Sequence, residues 1–206
     1  MLTTWLKNSD PKLLSDLLHA KSPKDLGLIS SAYSSYFKEC AVVFLDLSGF
    51  GKISESCRDF ECLRLILISE TLIQKFALEY DGFLLKSIGD SWLLKFKNVQ
   101  DGLKFLQALY EGLDKLNTEN PQHLASIPCG GIAYGSLLTF GDSDILGRTV
   151  NVAAKAGEDT AGPWEVLIAE SALSQVEFNA KKELTDYNIC NEKVYSWLPL
   201  QEKLPD

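Results

Sequence analysis

CAVVFLDLSGFGKIS, residues 40–54, begins as an unbroken apolar run rich in β-branched residues and closes in a glycine turn. A short continuous run of this kind marks a central strand buried on both faces. ISESCRDFECLRLILISETLIQKFALEY, residues 53–80, follows with apolar residues at spacings of three and four, the period of a long amphipathic helix. DGFLLKSIGDSWLLKF, residues 81–96, then reads as a hairpin. Its two apolar arms flank Lys86, Ser87, Gly89 and Asp90. VQDGLKFLQALYEGLDKLNTEN, residues 99–120, is a second amphipathic helix ending before Pro121. SIPCGGIAYGSLLTF, residues 126–140, predicts a strand pair or one bent strand, with glycines marking bulges or close backbone approach. The resulting order, β-α-β-β-α-β with additions, predicts an α+β, ferredoxin-like core.

Further along, GDSDILG reads as a loop, TVNVAAKAGEDTA as a helix, WEVLIA as a strand, ESALSQ as a short helix and KVYSWLPL as a late strand. Residues 1–39 are polar, with a helical patch at LLSDLLHA and breakers at Pro11, Pro23 and Gly27. They predict an N-terminal helical extension ahead of a single domain at 40–206. The chain's 206 residues suffice for one such domain, and 46% hydrophobic with 23% charged residues argue against disorder. A net charge of −8, with scattered Lys and Arg, argues against nucleic-acid binding. Five cysteines without a CxxC pair, no visible signal peptide and no membrane-length apolar run predict a reduced, cytoplasmic protein. His19 and His123, the only histidines, stand in unlike contexts, so a histidine-based zinc site or a Ser-His-Asp triad is not expected.

Three blocks carry chemistry. Asp46 ends the VVFLD strand, and Gly49, Phe50 and Gly51 turn the chain into a helix starting near Ile53. A carboxylate beside free helix-start amides suits a Mg²⁺–phosphate pair, although Asp46 capping the turn is the simpler alternative. In the hairpin, Asp90 at a turn can be merely solvated, and Lys86 can extend its stem to water. Two carboxylates on adjacent central strands are nevertheless what a two-metal phosphoryl-transfer site requires. In GDSDILGRTVNVAAK, residues 141–155, Asp144 precedes a turn, and Asn151 and Lys155 share one helix face. That face reads either as ribose and phosphate contacts or as an ordinary solvated surface.

Taken in order, VVFLDLSGFGKIS, GFLLKSIGDSWLLKF, GIAYGSLL and DILGRTVNVAAK, followed by a proline and WEVLIAESAL, resemble the class III nucleotidyl cyclase catalytic domain over about residues 40–170. The resemblance implies a homodimer with composite active sites at its interface. It implies Asp46 and Asp90 as ligands of two Mg²⁺ or Mn²⁺ ions, assisted by the Leu47 carbonyl. Lys86 and Asp144 become the purine-selecting pair. Asn151 orients the ribose, Lys155 stands where the family has its transition-state arginine, and Gly49, Phe50 and Gly51 meet the triphosphate. Lysine donates to adenine N1 and aspartate accepts from the 6-amino group, whereas guanine presents the reverse pattern. ATP is therefore the expected substrate, giving 3′,5′-cyclic AMP and pyrophosphate. Further departures are Cys129 in place of a phosphate-contacting arginine, Gly51 in place of Thr or Ser, and Ala133 in place of a histidine. Lys193 is only a weak match to a further phosphate lysine. A degenerate domain that binds nucleotide or a protein partner is the alternative expectation.

Overall fold

A computed structural model describes residues 10–119, 125–140 and 144–204. His123, residues 1–9 of the extension and residues 141–143 of the GDSDILG segment lie outside the described residues. The apolar run forms β1 (Phe37–Leu47), and every residue from Cys40 to Val43 is buried. It sits between β3 (Ser91–Phe96) and β4 (Pro128–Phe140), antiparallel to both, with β2 (Gly82–Ile88) outside β3. The sheet order β2-β3-β1-β4 is the expected ferredoxin-like core. β6 (Val166–Ala169), β8 (Glu192–Trp197) and β7 (Glu183–Ile189) extend the sheet beyond β4.

Two helices precede the sheet, α1 (Pro11–His19) and α2 (Pro23–Ala32). The Asp10 and Ser22 side chains cap them, and each has proline in its first turn. The long helical pattern divides in two, α3 (Phe50–Ser56) and α4 (Asp59–Glu79). Helix α3 begins at Phe50, three residues earlier than expected, because Gly49 in the left-handed region (φ 76°) starts it. α5 (Val99–Asn117) is capped by the Asn98 side chain and buries Leu103, Leu106, Tyr110 and Leu113 on one stripe. α4 and α5 cover the face bearing Val43, Leu45 and Ile132. On the other face, α6 (Arg148–Ala154) packs Val152 and Ala153 against Val42, Ala133 and Leu137.

The structure corrects several expectations. SIPCGGIAYGSLLTF supplies one strand, not a pair, because β1 offers it eleven consecutive partners from Phe37 to Leu47. The expected loop GDSDILG contains strand β5 (Asp144–Leu146), whose backbone pairs with the end of β4. The expected helix TVNVAAKAGEDTA is α-helical only to Ala154 and then widens into a π-turn over Lys155–Thr160. ESALSQ yields α7 (Glu170–Leu173). Among the described residues, no helix is long and apolar enough to cross a membrane.

Candidate active site

The register of β1 fixes the first half of the site. Leu45 pairs with Trp92 on β3, which puts Asp46 level with Ser91 at the hairpin end. The Ser91 hydroxyl donates to Asp46 Oδ1 at 2.8 Å. Gly89 (φ 62°) makes the turn, and Asp90 follows it directly. Burial pushes the Asp46 carboxyl up to about 6, and the nearby Asp90 and Glu158 charges add to this. Hydrogen bonds from Ser91 and the Leu47 N–H oppose the rise. Burial also raises Asp90. Two partly buried carboxylates thus lie near enough for the Asp90 charge to raise Asp46.

Hard oxygen donors in that state fit a divalent ion such as Mg²⁺ or Mn²⁺. An added Cβ at Gly49, Gly51 or Gly89 would meet nothing within 4 Å, so open space adjoins the pair. Among the described residues, no group of three or more His, Cys, Asp and Glu is arranged to hold a metal. Asp46, Asp90 and the Leu47 carbonyl would therefore share such an ion with substrate oxygens and water. The N–H groups of Phe50 and Gly51 lie in the first turn of α3, where a helix supplies no acceptor of its own. Cys129, opposite Asp46 on β4, donates its thiol to the Asp46 carbonyl at 3.6 Å. Burial and the Asp46 and Asp90 charges push that thiol up to about 12, so it stays neutral.

The second half lies on the same sheet face. Lys86, opposite Leu93, sits just past a register shift in β2 and points to β5. Its Nζ donates to Asp144 Oδ1 at 2.8 Å. Asp144 Oδ1 also accepts from the Ile145 N–H at 2.8 Å. The structure therefore brings together Asp46 with Asp90 and Lys86 with Asp144. Asn151 and Lys155 are exposed, Asn151 on α6 and Lys155 at the start of the π-turn. Among the described residues, no hydrogen bond or ion pair joins either one to Asp46 or Asp90. Sequence reasoning missed two neighbours of Asp46. Ser91 was signalled only by its place beside Asp90, and Glu158 by nothing local.

Sheet order and the placement of the two polar pairs define an α+β domain of nucleotidyl cyclase type. The family model of the adenylate and guanylate cyclase catalytic domain matches residues 32–193. The chain belongs to that family. It is 23% identical over 168 residues to "Putative adenylate cyclase 3" of Rhizobium meliloti (strain 1021), a match covering 77% of this chain. The chain spans only 28% of that relative's length. In fold it resembles the catalytic core of a rhodopsin-guanylyl cyclase with converted specificity in complex with ATPαS (TM-score 0.68, 18% identity, 79% of this chain and 97% of that one). It also resembles an adenylate/guanylate cyclase/hydrolase from Silicibacter pomeroyi (TM-score 0.64, 23% identity, 79% and 98%).

Proposed function

We propose that this domain is an adenylate cyclase, converting ATP to 3′,5′-cyclic AMP and pyrophosphate with two Mg²⁺ or Mn²⁺ ions per active site at a homodimer interface. Residues 40–206 are read as the catalytic domain and residues 1–39 as its N-terminal extension, although Phe37–Glu39 already belong to β1, and five free cysteines suit a reducing cytoplasm. The observation that carries the ATP assignment is the Lys86–Asp144 contact, a donor and an acceptor side by side. Both Asp144 bonds fall on Oδ1, which leaves Oδ2 to accept from the adenine 6-amino group. Lys86 retains further N–H donors for adenine N1.

Asp46, Asp90 and the Leu47 carbonyl hold the ions, which when bound acidify the ribose 3′-hydroxyl and neutralise the triphosphate. The 3′-oxygen bonds to the α-phosphorus, the bond to the pyrophosphate oxygen breaks, and the hydroxyl proton leaves to solvent. The amides of Gly49, Phe50 and Gly51 receive phosphate oxygens. Asn151 orients the ribose, and Lys155 offsets negative charge in the transition state. The dimer is supported by the exposure of Asn151 and Lys155, neither of which is bonded to its own chain's Asp46 or Asp90. It is also supported by Phe83, Ile88 and Leu146, apolar yet 42%, 69% and 57% exposed on the strands that carry Lys86 and Asp144.

A second reading, a degenerate domain that binds nucleotide or a protein partner, is favoured by the neutral Cys129 thiol beside Asp46. Purified protein incubated with ATP and Mn²⁺ separates the two. Cyclic AMP well above an Asp46→Ala, Asp90→Ala double variant supports the enzyme, and product equal to that variant's refutes it.

A further inference from the structure

The π-turn that follows α6 is seated on the sheet by close backbone approach and by the buried Ala156 methyl. A Cβ built on Gly131 of β4 would lie 2.3 Å from the Ala153 carbonyl oxygen and 2.7 Å from the Gly157 nitrogen. A Cβ on Gly157 would lie 2.7 Å from the Phe44 carbonyl oxygen and 2.9 Å from the Gly131 nitrogen. Those neighbours are backbone atoms, so no side-chain rotation can make room. The contact falls beside the carboxylates, because Phe44 is two residues before Asp46 on β1, and Gly131 pairs with Phe44.

A π-turn is a one-residue widening of an α-helix and is retained where the surrounding fold holds it. Here the Ala161 N–H donates to the Ala156 carbonyl at 2.8 Å, and the Thr160 hydroxyl donates to the Lys155 carbonyl at 2.9 Å. The turn begins at Lys155. It also carries Glu158, the residue after Gly157, into the field of Asp46.

We propose that Gly157 is a positioning residue, whose contact with Gly131 and Phe44 seats α6 and the π-turn on the sheet, and so sets where Asn151 and Lys155 are presented at the dimer interface and how Glu158 stands relative to Asp46. This rests on the cyclase reading above. A side chain at 157 must lift the turn by roughly 0.7 Å to restore an ordinary contact distance. Misplacement on the order of 1 Å can slow a positioned reaction about 100-fold.

The experiment compares Gly157→Ala with Gly112→Ala, whose Cβ would meet the Phe76 ring at 2.8 Å in the opposite layer. Melting temperature, kcat and KM for ATP, and Mn²⁺ affinity by electron paramagnetic resonance are measured for each. Gly157→Ala is expected to lower kcat about 10- to 100-fold with KM within about threefold. Gly112→Ala is expected to lose melting temperature while keeping kcat within about twofold. Should Gly157→Ala fail to fold, Thr160→Val removes only the hydroxyl that closes the turn and should lower kcat about fivefold with KM unchanged. Unchanged kcat in the folded variant, or an equal loss in Gly112→Ala, overturns the proposal. If the native protein makes no more product than the Asp46→Ala, Asp90→Ala variant, the cyclase reading fails and the Mn²⁺ titration decides this one. Affinity weakened several-fold in the position-157 or position-160 variant but not in Gly112→Ala upholds it, and equal or absent Mn²⁺ binding refutes it.

Discussion

Exchanging the Lys86–Asp144 pair for Glu and Cys tests the base assignment directly. In the native chain Nζ and Oδ1 are 2.8 Å apart, with side chains 39% and 17% exposed. An ion pair that wet contributes under about 1 kcal/mol to stability, so Lys86→Glu with Asp144→Cys should fold normally. Changing Lys86 alone would instead set a glutamate against Asp144. The effect on selectivity should be far larger. Adenine held between Lys86 and Asp144 satisfies both groups, whereas guanine opposes donor to donor and acceptor to acceptor. Each mispaired group costs about 1–3 kcal/mol once water is excluded, hence roughly 2–6 kcal/mol for the two. At about 1.4 kcal/mol per tenfold, the ratio of kcat/KM for ATP over GTP should fall at least roughly 30-fold. Partial exposure of Lys86 favours the lower end of that range. The assay is cyclic nucleotide production from each substrate with Mn²⁺. A folded, active double variant whose ATP/GTP ratio stays within threefold of native would show that these side chains do not read the base.

Asp46 gives a pH signature in metal-free protein. Its carboxyl titrates near 6 in the fold against 3.8 in the open chain, so the stability it contributes is present below 3.8 and lost as pH rises through 6. With chelator present, Asp46→Asn should therefore raise the melting temperature at pH 7.5 and leave it nearly unchanged at pH 4; a gain at both would refute the assignment. Gly82→Ala should destabilise by about 1–3 kcal/mol, because its Cβ would lie 2.2 Å from Phe96 Cε1, and denaturant unfolding with an unchanged midpoint would contradict this. Ile88→Asp should shift sedimentation towards monomer and lower activity together. Loss of neither would remove Ile88 from the interface.

The legible parts of the fold are those set by local periodicity. β1 followed from eight residues of apolar run, and the hairpin followed from two apolar arms around Gly89. α5 followed from its stripe of leucines and Tyr110. What was missed depends on contacts made at a distance. β5 is three residues with no apolar run, and it becomes a strand only because β4 extends past the end of β1 to pair with it. In β7, Glu183, Leu184, Tyr187 and Asn188 are all exposed, so pairing with β8 rather than burial makes the strand. The break between α3 and α4 at Cys57 and Arg58 carries neither glycine nor proline. There the Glu61 carboxylate accepts from the Arg58 N–H at 2.9 Å and starts the second helix, a signal only three residues wide. Asp46, Lys86, Asp90 and Asp144 were singled out within their blocks, whereas the roles expected of them came from resemblance rather than from spacing. Nothing local shows that Lys86 meets a partner 58 positions away.

That meeting bears on how one short hairpin serves two purposes. Lys86 and Asp90 are four residues apart, and at a hairpin tip a cation and an anion so close would ordinarily pair. They are kept for different neighbours by the sheet on either side. On β1, Asp46 accepts from the Ser91 hydroxyl and lies within reach of the Asp90 charge. Towards β5, Asp144 takes the Lys86 ammonium at 2.8 Å. If that pair reads the base as proposed, contact at 2.8 Å would leave little reorganisation to be made when substrate arrives. Removing Asp144 alone should therefore do more than loosen base selection. With its partner gone, Lys86 is released to swing to Asp90 and compete for the carboxylate that a divalent ion needs. Asp144→Ala should raise the Mn²⁺ concentration required for half-maximal activity, whereas Lys86→Met, Asp144→Ala should restore it. An equal Mn²⁺ requirement in the single and double variants would show that the two halves of the hairpin act independently.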